Sequence, residues 1–462
     1  MSSKGEHLGH GSGVGKHDVE LRPQTSVLTR QHHIAQMAKK YANQPLTTLH
    51  HHLDLLWLGE AFRRVRRDSA PGVDAVSVAD YEQDLEGNLK DLLERVKSGS
   101  YKAPPVRRCY IPKNGSETRP IGIPTTENKV LERAIVMLLE PIYESDFHDC
   151  SYGFRPQRGP HQALSNIRAQ LMGMKGAWVV DVDIRKYFDS IPHEKLREIL
   201  RYRIKDKVIL RLIDKWLKAG VWENGQVSSF DEGTPQGGVI SPMLSNIYLH
   251  EVLDKWFYQQ IQPHLAGKAQ LTRFADDFLL VVEKREDAEG LFVKLEERLS
   301  QWGLTIHPDK TSLIDFRHPW YSSAKPGTFT FLGFVHYWGK TRGGGRAVMK
   351  KTAKQRFNRI LKNIEQWCKH NRHQPLAWQH RRLCEKLRGH CSYYGITGNS
   401  HALTHLRYEV LKVWHKWLNR RSRKRDGMRW KRFNVLISGP YYIPQMNIVH
   451  SAYKPVQECL TL

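Results

Sequence analysis

Two apolar runs, at 271–274 and 278–282, are separated by Ala275-Asp276-Asp277, a pattern that predicts a buried β-hairpin tipped by two carboxylates. A second apolar run at 178–184 reads as another buried strand, with Asp181 and Asp183 where Val or Ile is expected. Residues i and i+2 of a strand share a face, so these two acids point the same way. Upstream, 46–67 reads as helical and basic, followed by a Gly/Pro break at 70–74, an acidic helix over 78–97 and a hairpin at 110–120. Apolar helices are predicted at 129–143 and 243–258, alternating strands and helices over 162–320, and a short strand at 329–334. From 350 onward the period is helical, until a Pro-rich tail after 439. Residues 1–17, rich in Gly, His and Ser, read as a disordered leader.

Composition sharpens this α+β picture. A chain of 462 residues is too long for one core, and 40% apolar content excludes wholesale disorder. No run approaches the roughly 20 apolar residues of a membrane span, so no membrane partner is expected. The six cysteines are dispersed without a Cys-x-x-Cys pair, which fits a reducing cytoplasm better than a disulfide framework. Consecutive side chains diverge, so His50-His51-His52 is a poor metal chelator. The formal charge of +25 is concentrated: residues 340–432 hold 26 Lys and Arg against 4 Asp and Glu, interleaved with five Trp. Such a surplus points to a polyanion, with nucleic acid ahead of a membrane surface.

If the two acidic strands lie side by side, several carboxylates converge. A hard cation such as Mg²⁺ compensates their repulsion, and a pair of such ions serves in-line phosphoryl displacement. Other motifs line up around them, each with a plainer reading beside the functional one. Lys113 and Arg119 flank the Gly turn of the 110–120 hairpin and are either a triphosphate clamp or ordinary surface cations. Ser151-Tyr-Gly-Phe-Arg155-Pro156 is an aromatic and basic loop that either closes on a template or simply packs well. Phe188, five residues past Asp183, is either a gate against a 2′-hydroxyl or a core plug. The glycine-rich 233–242 leads into a helix start, where backbone approaches a ligand closely and anions are favoured. Lys310 either neutralises or protonates a leaving pyrophosphate, or is a surface lysine. Trp414 and Trp417, three apart on a helix, read as core packing rather than stacking platforms.

In this order the motifs 118–124, 151–156, 183–189, 234–242 and Arg273-Phe-Ala-Asp-Asp277, followed by 387–395 and 414–422, resemble bacterial group II intron-encoded reverse transcriptase–maturases over roughly 46–435. The resemblance implies a right-hand polymerase: N-terminal extension and fingers at 46–165, a palm with an antiparallel sheet at 166–340, a helical thumb or maturase domain X at 341–405, and a basic nucleic-acid segment at 406–435. Residues 1–45 would be leader and extension, and 436–462 a tail. It further implies two Mg²⁺ ions on Asp183, Asp276 and Asp277. Lys113, Arg119, Phe188, Gln236, Gly237 and Lys310 would serve the nucleotide, and Arg155, Arg388, Arg420, Arg421, Arg423, Lys424 and Arg425 the nucleic acid. The implied partners are intron RNA, an RNA template, a DNA primer or target and dNTPs, in a bacterial, nucleoid-associated setting, with oligomeric state undetermined. Phe274 stands where Tyr is usual, and the Cys-pair and His-Asn-His endonuclease pattern of many relatives is not found. Rival functions are a non-catalytic RNA-binding splicing factor, and a reverse transcriptase recruited to phage defence or CRISPR adaptation.

Overall fold

The computed structural model describes residues 18–42, 44–112, 118–174, 176–228, 232–233, 237–321, 325–341, 343–421 and 427–451. The expected leader at 1–17, the hairpin tip with Lys113, and Gln236, Arg423, Lys424 and Arg425 lie outside them. The strands are β1 (Val106–Pro112), β2 (Thr118–Ile123), β3 (Trp178–Val182), β4 (Val221–Glu223), β5 (Gln226–Ser228), β6 (Ala269–Phe274), β7 (Asp277–Val282), β8 (Ser312–Asp315), β9 (Phe329–Phe331), β10 (Phe334–Lys340) and β11 (Arg346–Thr352). Packing groups the chain into two compact bodies, 1–148 with 185–255 and 298–305, and 149–184 with 256–297 and 306–462.

The first body is built on the helix Thr126–Tyr143, buried on nearly every side. Thr125 caps it by accepting the Asn128 amide, and Trp57 donates its indole N–H to the Ala134 carbonyl at 2.9 Å. The sheet β2-β1-β4-β5 carries the expected 110–120 hairpin as its β1–β2 pair. The helix Asp18–Lys40 lies within the 1–45 stretch assigned to leader and extension, and Gln31 Nε2 donates to the Met137 carbonyl at 3.0 Å. One expectation is corrected here. The acidic helix is two helices, Val78–Glu82 and Leu85–Ser98, because Asp84 accepts the Gly87 amide and starts a new one.

In the second body the sheet β6-β7-β3-β8 is antiparallel throughout. One face is covered by the helix Pro160–Gly173, whose Ala163, Leu164, Ile167 and Leu171 pack with Val179, Leu279 and Val281. A second sheet, β11-β10-β9, adds Phe329, Phe331, Phe334 and Val348 to that core. The helices Lys354–His370, Leu376–Tyr394, Ser400–Leu418 and Trp430–Ser438 close over Leu383, Val410 and Trp414. Trp414 is 1% exposed and donates to Gln379 at 3.0 Å, the core role expected of it. The helical period was expected from 350, but β11 runs on to Thr352. Pairing with β10 overrides the local pattern there, and the helix starts at Lys354. The fold is α+β, of the right-hand polymerase class.

Candidate active site

The hairpin tip is a two-residue turn, Ala275-Asp276, closed by the pair Phe274↔Asp277. Ala275 takes φ +58, a left-handed value at the first central position, where glycine is usual and any Cβ costs about 1 kcal/mol. The turn is held from below. Arg273 is fully buried and donates from Nη1 to the Ala275 carbonyl at 3.1 Å. The Ser151–Arg155 loop runs alongside, with the Tyr152 amide donating to the Arg273 carbonyl at 2.9 Å. Gly153 sits so close that a Cβ there would stand 2.4 Å from the Ala275 nitrogen.

The register of β3 against β7 pairs Asp181 with Leu279 and Val182 with Phe278, so Asp183 follows the last paired residue at the end of the sheet where Asp277 starts β7. The carboxylates feel one another. Burial, then the charges of Asp277 and Asp183, push the Asp181 carboxyl up to about 7. Asp183 is cradled by the turn at 307–311. The His307 amide donates to its carbonyl at 2.8 Å, and Lys310 Nζ lies 2.9 Å from its Oδ2. Asp276 is half-buried and Asp277 exposed. Among the described residues no three His, Cys, Asp or Glu side chains form a ready-made metal cluster. The donor set nonetheless suits a hard cation, being all carboxylate, and Asp181 feels the charges of both Asp277 and Asp183 in addition to its burial.

Arg119, Phe188 and Gly237 all belong to the first body. Arg119 pairs with Ile111 on the same face of β2 as Ile121, and Gly237 rests on that face: a Cβ at Gly237 would meet the Gly122 carbonyl at 2.4 Å and Ile121 at 2.6 Å. Phe188 lies edge-on to the buried Tyr187. Its neighbour Asp189 has its carboxyl raised by burial, against the pull of Arg108, Lys186 and Arg119, and Gly233 abuts its backbone. Of the residues assigned to nucleic acid, Arg388 and Arg420 are exposed, with Arg420 over the Trp417 ring. Arg155 is instead 6% exposed and donates to the Ser151 carbonyl at 2.9 Å. Arg421 turns to the carbonyls of Arg372 and Gln374. Sequence reasoning missed the supporting roles of Arg273 and Gly153. The signals were a cation at an inward strand position and a glycine where two backbones meet.

Comparison with known proteins decides what this arrangement belongs to. The family model described as reverse transcriptase (RNA-dependent DNA polymerase) matches residues 111–336, which contain Asp183, Asp276, Asp277 and Lys310. Protein YkfC of Escherichia coli strain K12 is 38% identical over 296 residues, 56% of this chain and 76% of that protein. Group II intron-encoded protein LtrA of Lactococcus lactis is 46% identical over 175 residues, 38% of this chain and 29% of that protein. The chain belongs to the group II intron reverse transcriptase family. This reverse transcriptase is also 32% identical over 95 residues to nuclear intron maturase 1 of Arabidopsis thaliana, 21% of this chain and 13% of that protein. It therefore spans three quarters of YkfC but under a third of LtrA. Enzymes of the family generally use divalent metal ions. No helix among the described residues is long and apolar enough to cross a membrane.

Proposed function

We propose that this reverse transcriptase extends a DNA primer on an RNA template, with Asp183, Asp276 and Asp277 as its catalytic carboxylates, and that it binds and stabilises its parent intron RNA as a splicing maturase that supports retromobility. The supporting observation is the meeting of β3 and the β6–β7 turn at one end of one sheet, inside the matched family region. The same three aspartates would hold two Mg²⁺ ions, which supply the charge stabilisation of an in-line displacement. Lys113 and Arg119 clamp the triphosphate, Gln236 and Gly237 meet template and nucleotide, and Phe188 excludes a 2′-hydroxyl. Lys310, already at Asp183, places a cation beside the departing pyrophosphate. The N-terminal extension and fingers (46–165), palm (166–340), thumb or domain X (341–405) and basic segment (406–435) are the corresponding divisions. Arg388, Arg420 and the neighbouring basic residues carry the RNA.

The test is dNTP incorporation on poly(rA)/oligo(dT) by the wild type and by Asp276→Ala combined with Asp277→Ala. The double variant is expected to lose incorporation by at least ~10³-fold while keeping RNA affinity. A double variant that still copies RNA removes the assignment. Splicing of the cognate intron at low magnesium, with and without protein, tests the maturase half.

A further inference from the structure

The helix Ser241–Leu249 begins without a cap of its own: Ile240 occupies the N-cap position and offers no side-chain acceptor. Uncapped helix amides in a buried setting need an acceptor from elsewhere. Glu132, on the central helix of the first body, provides it. Its Oε2 accepts the Ile240 amide at 3.1 Å, although the two residues are 108 positions apart. The Val239 amide also favours its ionised form. Its Oε1 accepts from Asn128 Nδ2 at 3.1 Å; Asn128 Oδ1 accepts the Tyr101 hydroxyl at 2.6 Å, and Trp216 donates to that hydroxyl at 3.3 Å. Glu132, Asn128 and Tyr101 are 3%, 2% and 0% exposed. The remaining space is a cavity of about 10 Å³ lined by Glu132, Asn128, Trp216 and Ser241, room for one water at most.

Only two residues separate this anchor from Gly237, whose backbone lies against Ile121 and Gly122 on the strand that bears Arg119. We propose that Glu132 is a positioning residue for nucleotide addition: its buried carboxyl caps the helix at 241 in trans and so fixes the glycine-rich turn against the Arg119 strand. The inference rests on the reading that this turn meets the incoming nucleotide.

Burial raises the Glu132 carboxyl to about 7, against the pull of the Ile240 and Val239 amides and the Lys129 and Arg133 cations. Tyr101 is the other titratable group facing it. Ionised, both oxygens accept and the cap is complete. Protonated, one oxygen carries a hydrogen and competes with the amide donors. Glu132→Gln resembles the protonated form, because an amide also has one accepting and one donating end.

The experiment uses the full chain as wild type and Glu132→Gln, with Glu127→Gln as a reference that disturbs the same helix elsewhere. Glu127 pairs with Arg95 at 2.5 Å and does not reach the Ile240 amide. Amide hydrogen exchange is expected to speed up about tenfold across 237–246 in Glu132→Gln, but not in Glu127→Gln. KM for dNTP is expected to rise by about fivefold or more, with primer–template affinity unchanged. The wild-type advantage in kcat/KM should fade as pH drops through about 7. Unchanged exchange over 237–246 overturns the anchor. Faster exchange with an unchanged KM overturns its role in nucleotide addition. A wild type that incorporates no dNTP refutes the polymerase reading instead, and the exchange data still decide whether Glu132 holds the turn.

Discussion

A buried lysine shows how far one residue departs from what its type suggests. Lys350 is 1% exposed on β11, opposite the fully buried His336, and among the described residues neither its Nζ nor either His336 ring nitrogen has a hydrogen-bond partner. The His336 ring instead stacks on Phe329 at 4.6 Å. Burial, helped by Arg168, pushes the Lys350 ammonium down to about 7 from its ordinary 10.5. Because the folded value lies below the unfolded one, the unfolded chain binds more protons between about 7 and 10.5. Stability must therefore rise with pH across that window. Lys350→Met keeps the length and removes the charge, so we expect it to stabilise the protein by about 1–3 kcal/mol at pH 7 and to flatten the pH dependence. Denaturant unfolding at pH 7 and pH 9.5 checks both. A variant less stable than wild type at both pH values would show that Lys350 contributes a contact worth more than its desolvation costs.

Elements here are fixed by their neighbours as much as by their own patterns. The β6–β7 hairpin was legible because its apolar runs and turn are contiguous. Its strained Ala275 was not, since the sequence does not say what holds the turn. The answer is the 151–155 loop, which approaches through Gly153 and hydrogen-bonds along Arg273. Gly153→Ala would drive a methyl to within 2.4 Å of the Ala275 nitrogen, backbone that cannot rotate away. We expect that substitution to cost about 1–3 kcal/mol of stability and to lower incorporation at least ~10-fold, while RNA affinity stays within a few-fold. Steady-state incorporation beside a filter-binding titration separates the two effects. Full activity in this variant would mean that the hairpin keeps its geometry without the loop. The same dependence on neighbours explains β11, where pairing with β10 extended a strand into a helical-looking stretch.

Across the whole molecule, the surplus of 26 basic against 4 acidic residues in 340–432 sets long-range behaviour rather than fold. Exposed members such as Arg388 and Arg420 remain available to phosphate, whereas Arg421 is committed to backbone carbonyls. If six or more phosphates are neutralised, log affinity for single-stranded RNA should fall against log salt with a slope of about −4 or steeper. Replacing Arg388 and Arg420 with Gln should make that slope shallower by about 0.7 each. Arg421→Gln should act on stability instead. A slope near zero in wild type would remove electrostatics as the source of RNA affinity.

The sequence by itself determined the chemistry and its order along the chain: acids where a strand wants Val or Ile, an Asp-Asp tip between apolar runs, and a basic helical second half. These are local patterns, and strand or helix period reads them directly. Tertiary structure alone decided which groups meet. Lys310 lands on Asp183, Glu132 caps a helix 108 residues away, and Arg155 turns into the protein instead of outward. Such pairings are set by how buried polar groups find partners once the core has closed, and no periodicity along the chain encodes that.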